Sequence, residues 1–195
     1  MNATPAANPL PGTRGSGMIL ALFGAVWWCV GSVVLNGPAR PAALAVGVLV
    51  ALVLLVLAAR RLDGTGEREA YERSSRTFAW CNAGQGIGIG VVIVAGNVTG
   101  HQNLIPAFIA VVVGVHFFPL ARPFGHPEYR WTGGLLVLVG AVCSVVALAG
   151  APVTGVLTAA GAGSALVLWS TTVWYLRRGA PAAPAQVGAA TATAR

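Results

Sequence analysis

The sequence predicts an all-α protein, a six-transmembrane-helix bundle built from three helical hairpins, and three observations predict it. Mean hydropathy is +0.75 and only 9% of the 195 residues are charged, where a soluble domain carries about 25%. Six long apolar runs cover most of the chain, at Met18–Leu35, Pro41–Ala59, Phe78–Ala95, Leu104–Ala121, Thr132–Ala149 and Val153–Leu176. Each is about 18 to 24 residues, enough for a helix to cross a ~30 Å hydrocarbon layer. The arginines supply the third observation. Six crossings place both termini, the second-to-third loop and the fourth-to-fifth loop on one side. That side collects Arg14, Arg60, Arg61, Arg68, Arg73, Arg76, Arg122, Arg130, Arg177, Arg178 and Arg195, and Arg40 is alone opposite. Positive loops stay inside, so both termini are expected to be cytoplasmic.

Residues 1–17 are rich in Pro, Gly, Ala and Asn, and residues 179–195 in Ala, Pro and Thr. Both are too poor in large apolar side chains to fold and are expected to be disordered cytoplasmic tails flanking a transmembrane domain over 18–178. The first span is longer than the 7–15 apolar residues of a signal peptide and is expected to be a retained helix. Asn36-Gly37-Pro38-Ala39-Arg40-Pro41 and Gly150-Ala151-Pro152 are turns, because proline and glycine interrupt helices. Between the second and third spans, Glu67–Arg76 is expected to continue as helix, with Glu69→Arg73 and Glu72→Arg76 as i,i+4 pairs. Asn103 is placed to cap the fourth helix, and Pro106 falls in its first turn, where a missing N–H costs little.

In the third span, Gly84, Gly86, Gly88 and Gly90 form two i,i+4 pairs. A phosphate loop would need a strand before these glycines. Inside an apolar run they read as helix-packing positions, which predicts a central third helix contacted on two faces. Trp80 and Trp131 fall at cytoplasmic entries, and Trp169 and Trp174 toward the cytoplasmic end of the sixth span, as in an interfacial belt. Trp27 and Trp28 lie deeper, and the sequence does not decide which way they face.

Polar groups within spans are costly and are where function is sought. All five acidic residues, Asp63, Glu67, Glu69, Glu72 and Glu128, lie in loops, which weakens a proton-coupled transport reading. What remains is Asn82 and Gln85 on one face of the third helix and His116 near the cytoplasmic end of the fourth, at similar depths by 1.5 Å per residue. They form the candidate polar intramembrane cluster, either an interhelical clamp or a small site. His101 and His116 are spaced too far along one helix region to ligate one haem and His126 lies in a loop, and no cluster of carboxylates or thiolates suited to a metal is read around them. No cofactor, no metal and no catalytic residue is therefore expected. Cys29, Cys81 and Cys143 are far apart and read as packing thiols. The net charge of +7 sits at helix ends, where it meets the lipid bilayer, and argues against a nucleic-acid partner.

The segment His116-Phe117-Phe118-Pro119-Leu120-Ala121, followed by Tyr129 and Thr132-Gly133, resembles a stretch of small bacterial multi-pass membrane proteins of no assigned function. The resemblance implies an integral membrane protein and transfers no catalytic residue. All twelve basic residues are arginine, which with the Ala, Gly and Val richness points to a GC-rich bacterial genome and a plasma-membrane location. The leading functional expectation is a non-enzymatic structural or accessory component that associates with copies of itself. The alternative is a small transporter or channel for a neutral or weakly polar solute using Asn82, Gln85 and His116; the third is an intramembrane enzyme. Topology is directly testable. Reporter fusions after Gly66 and at Arg195 should read as cytoplasmic and one at Gly100 as external; a cytoplasmic signal at Gly100 overturns the six-span arrangement.

Overall fold

Hydrocarbon offers no hydrogen bonds, so each apolar run must satisfy its own backbone by forming a helix. The computed structural model describes residues 13–178. It contains α1 (Arg14–Ser32), α2 (Ala39–Arg61), α3 (Glu67–Val98), a short 3₁₀ turn (Gln102–Leu104), α4 (Ile105–Leu120), α5 (Glu128–Leu148) and α6 (Val153–Arg178). All six α-helices are long and apolar enough to cross a membrane, and there is no strand among the described residues. The expectations for residues 1–12 and 179–195 lie outside the described residues. α1 begins at Arg14, ahead of the apolar run, because the Thr13 and Arg14 N–H groups both donate to the Asp63 carbonyl (3.0 and 3.2 Å).

The three hairpins pair as α1 with α2, α3 with α4 and α5 with α6, yet the most extensive contacts run between hairpins, α1 on α6 and α4 on α5. The resulting order across the bundle is α2, α1, α6, α5, α4, α3, with α6 also reaching α2 and α4. The α1–α6 seam is built on glycines seven apart, Gly17, Gly24 and Gly31, all buried. Seven-residue spacing returns a side chain to the same helix face. A Cβ on Gly161 would lie 2.5 Å from both the N and Cα of Gly31, so the two backbones touch directly. The Trp169 indole fills the notch at Gly24 and that of Trp28 the notch at Gly47. Each donates to a carbonyl of the helix it enters, Trp169 Nε1 to Ala21 (3.1 Å) and Trp28 Nε1 to Ala43 (2.7 Å), and the two rings lie 5.5 Å apart. The α4–α5 seam uses the same device: a Cβ on Gly140 would sit 2.5 Å from the Ala107 carbonyl oxygen.

Several sequence expectations are corrected here. α3 is not central: it packs on α4 and the 3₁₀ turn and lies at the edge of the bundle. Added Cβ atoms at Gly84, Gly86 and Gly90 would meet nothing within 4 Å, and of this set only Gly88 is in contact, against Val112. Trp169 is 6% exposed and belongs to the core with Trp27, while Trp80 and Trp131 are exposed. For Trp169 the indole N–H finds the Ala21 carbonyl inside the core, which satisfies the donor that burial would otherwise strand. α3 does continue through Glu67–Arg76. Its ion pair is Arg68–Glu72 (2.9 Å) rather than the expected pairs, and Arg73 Nε donates to the Glu69 carbonyl at 3.2 Å. Asn103 makes no cap; α4 starts from Leu104 without a side-chain cap and with proline in its first turn.

The seam predicts opposite outcomes at two glycines. Gly161→Ala forces a methyl into the Gly31 backbone and should lower stability by about 1–3 kcal/mol. Gly84→Ala meets open space within the chain and should be neutral or stabilising by up to about 1 kcal/mol, since alanine favours the helix. Thermal unfolding in detergent compares the two, and equal losses would contradict the placement of α3.

Candidate functional site

Two polar groupings stand out, one anticipated and one not. In the first, α3 and α4 run antiparallel and bring half-buried His116 to α3, where its Nδ1–H donates to the Cys81 carbonyl oxygen at 3.2 Å. The Phe117 ring packs edge-on against the imidazole, with centroids 5.9 Å apart. Asn82 is exposed and Gln85 half-buried, and among the described residues neither forms a hydrogen bond with His116. The structure thus joins His116 to the α3 backbone and leaves the two amides outside that link. This is an interhelical tie with one donor and one acceptor.

The second grouping lies where α5 begins and α6 ends. The turn after α4 delivers His126, and Pro127 opens α5, placing Glu128 and Tyr129 in its first turn. His126 Nδ1 lies 3.0 Å from Glu128 Oε1. The His126 ring is 5.4 Å from that of Tyr129 and 5.6 Å from that of Tyr175. His126, Tyr129 and Tyr175 are all buried. The Tyr129 hydroxyl donates to Ser16 Oγ at 2.8 Å, reaching α1. The Tyr175 hydroxyl is buried without a hydrogen bond of ordinary geometry. Around this set, Thr132 Oγ1 is 2.8 Å from Thr171 Oγ1, and Thr172 Oγ1 donates to the Gly17 carbonyl at 3.3 Å.

The same end carries the loop between α2 and α3. The Gly15 N–H donates to a Glu67 carboxylate oxygen, and Arg14 Nε to the Leu62 carbonyl at 3.0 Å. In that loop the Thr65 hydroxyl and N–H donate to one Asp63 oxygen (2.6 and 2.9 Å), and these bonds hold the Asp63 carboxyl below its usual range. Together these contacts make a polar plate that fastens the start of α1, the α2–α3 loop, the start of α5 and the end of α6.

Chemically the plate contains an imidazole–carboxylate pair and two phenols, an acid–base set. The surface carries two shallow, open hollows: an apolar one along α3 at Ile87, Val91 and Val94, and a polar one between α3 and the turn after α4. Neither of these two hollows is lined by His126 or His116. Among the described residues no three His, Cys, Asp or Glu side chains are grouped to hold a metal ion. The sequence places His126 and Glu128 in a loop, whereas in the structure Glu128 begins α5. The signal that locates their partners is Leu168, Thr172 and Tyr175 at alternating spacings of four and three, a buried stripe on α6.

No protein-family model, no curated protein and no solved structure matches the chain.

The two tyrosines give a contrasting pair. Tyr129→Phe removes a well-formed hydrogen bond to Ser16 and should cost about 1 kcal/mol, whereas Tyr175→Phe removes a buried hydroxyl that adjoins Glu128 and Tyr129 without a bond of ordinary geometry and should cost less. Thermal midpoints in detergent decide it; a loss at Tyr175→Phe as large as at Tyr129→Phe would show that its hydroxyl is bonded.

Proposed function

We propose that this multi-pass membrane protein is a non-enzymatic accessory component of a bacterial plasma membrane, with both ends cytoplasmic, and that it associates with copies of itself through α3. Arginine placement supports the orientation. The observation that carries the assembly reading is the isolation of α3: it rests on α4, while the other long helices of the bundle interior are flanked on more than one side. Phe78, Cys81, Gln85 and Gly88, at alternating spacings of three and four, form the face toward α4. Ala79, Ala83, Gly86 and Gly90 are exposed, and each lies two residues from the α4 face, about 200° around the helix. This is the small-residue pattern with which α1 meets α6, and small residues allow membrane helices to approach closely. Exposed Asn82 flanks the face and offers an amide for an interhelical hydrogen bond, worth about 0.6 kcal/mol on average in membranes.

The transporter alternative has less support. His116 donates its Nδ1–H to a backbone carbonyl, and the two shallow hollows lie elsewhere. The enzyme reading has an acid–base set in His126 and Glu128, and neither of the two hollows is lined by it.

Cysteine crosslinking in membranes tests the assembly. With Cys29, Cys81 and Cys143 replaced by Ala, a cysteine at Gly86 or Gly90 should give an adduct of twice the chain's mass. A cysteine at Leu49, exposed on α2, should not. Adducts at Leu49 as abundant as at Gly86, or none on α3, would overturn the reading.

A further inference from the structure

The polar hollow lies between the first half of α3 and the turn that follows α4. Arg73 and Thr77 line one wall, and Arg122, Phe124 and Gly125 the other. The walls are fixed to each other. Buried Ser74 donates from Oγ to the Pro123 carbonyl at 3.1 Å, and the Phe78 and Phe124 rings meet edge-on at 5.9 Å. The turn closes on itself through Gly125 N–H to the Arg122 carbonyl at 3.1 Å, with Gly125 at φ 68°, a conformation that suits glycine. Two arginines are therefore held on facing sides of a hollow whose lining contains no acidic residue. Among the described residues neither Arg73 nor Arg122 forms an ion pair with a carboxylate. Arg73 uses Nε on the Glu69 carbonyl, leaving its terminal N–H groups available.

Depth indicates the occupant. Trp80 follows Thr77 by less than one turn and is 71% exposed, and exposed tryptophans mark the boundary between headgroups and chains. Below the hollow the same stripe of α3 continues through Trp80, Gly84, Ile87 and Val91, at spacings of three and four, all exposed. Cationic groups at the interface above an uncovered apolar stripe match the two halves of one molecule, a phospholipid. Guanidinium groups bind phosphate through paired N–H donors.

From this we infer that the hollow is a binding site for an anionic phospholipid of the adjacent leaflet. Arg73 and Arg122 hold the headgroup phosphate, Thr77 supplies a hydroxyl donor, and an acyl chain lies along Trp80, Gly84 and Ile87. The site is separate from the Ala79–Gly90 face and stands whether or not the chain self-associates.

Native mass spectrometry of the full chain, exchanged between phosphatidylglycerol and phosphatidylcholine, reads the selectivity. The unaltered protein should retain phosphatidylglycerol. Arg73→Gln with Arg122→Gln should lose that preference by about thirtyfold, from roughly fivefold per interfacial arginine. Arg60→Gln with Arg61→Gln removes the same charge from the end of α2 and should change it little. Arg122→Glu alone, at an exposed position, is a second variant and should also abolish the preference. Equal losses in the Arg60/Arg61 variant would mean diffuse surface charge and overturn the site. Displacement of phosphatidylglycerol by millimolar inorganic phosphate would assign the hollow to a soluble anion and overturn the lipid. No preference in the unaltered protein would end the proposal.

Discussion

Helices surrounded by hydrocarbon gain little by hiding apolar side chains from one another, so closeness of approach has to hold them together. In this protein closeness is concentrated where α1 crosses α6. Gly31 and Gly161 bring two backbones into contact, and the Thr158 hydroxyl donates across the seam to the Gly31 carbonyl at 3.0 Å. With the helix axes this near, Trp169 has only one place to go, the notch at Gly24, and from there its ring meets Trp28, which in turn occupies the notch at Gly47 on α2. One backbone crossing thus orients three helices. The α4–α5 pair repeats the device, and α6 connects the two halves by touching α4 and α5.

The polar plate at one end works by other means. The seams fix height through single notches and few polar bonds, at Gly24, Gly47 and Gly31. The plate relies on directional bonds. Tyr129 to Ser16, Thr132 to Thr171, Thr172 to Gly17 and Glu67 to Gly15 each fix a relative height between two elements. Burying such groups is tolerable only when their donors and acceptors are met, which is why the plate is dense in partners. Tyr175 is the exception, a buried phenol beside a bonded set.

Much of the fold is legible in the sequence because span length, turn chemistry and hydropathy are local properties. The runs, the Gly-Pro turns and the helical extension before the third span all follow from residues close together in the chain. The place of α3 is not local. Gly84, Gly86 and Gly90 have the same spacing whether they face a helix or lipid, so the sequence records an ability to pack closely without recording against what. Gly17, Gly24 and Gly31 carry the same kind of signal with a partner present. For His116, depth along two antiparallel helices brings it to α3, but its acceptor is the Cys81 backbone, and an unmarked carbonyl cannot be read from residue types. His126 and Glu128 escaped notice because their surroundings come from α1 and α6, the ends of the described chain.

That the tightest seam joins the first helix to the last has a consequence for how the chain is made. Residues bonded across it are 127 to 155 positions apart, as in Thr158 to Gly31 and Thr172 to Gly17. A chain emerging from its N-terminus releases α1 long before α6 exists. During that interval Gly24 and Gly31 have no Trp169 and no Gly161 to fill against, and Ser16 waits for α5 to bring Tyr129. The α1–α2 and α4–α5 contacts can form in that interval, but the two halves are joined only when α6 arrives at the end of synthesis. A product cut short before α6 retains five helices able to span a bilayer and lacks the seam that organises them, which leaves open glycine notches as the visible mark of an unfinished molecule.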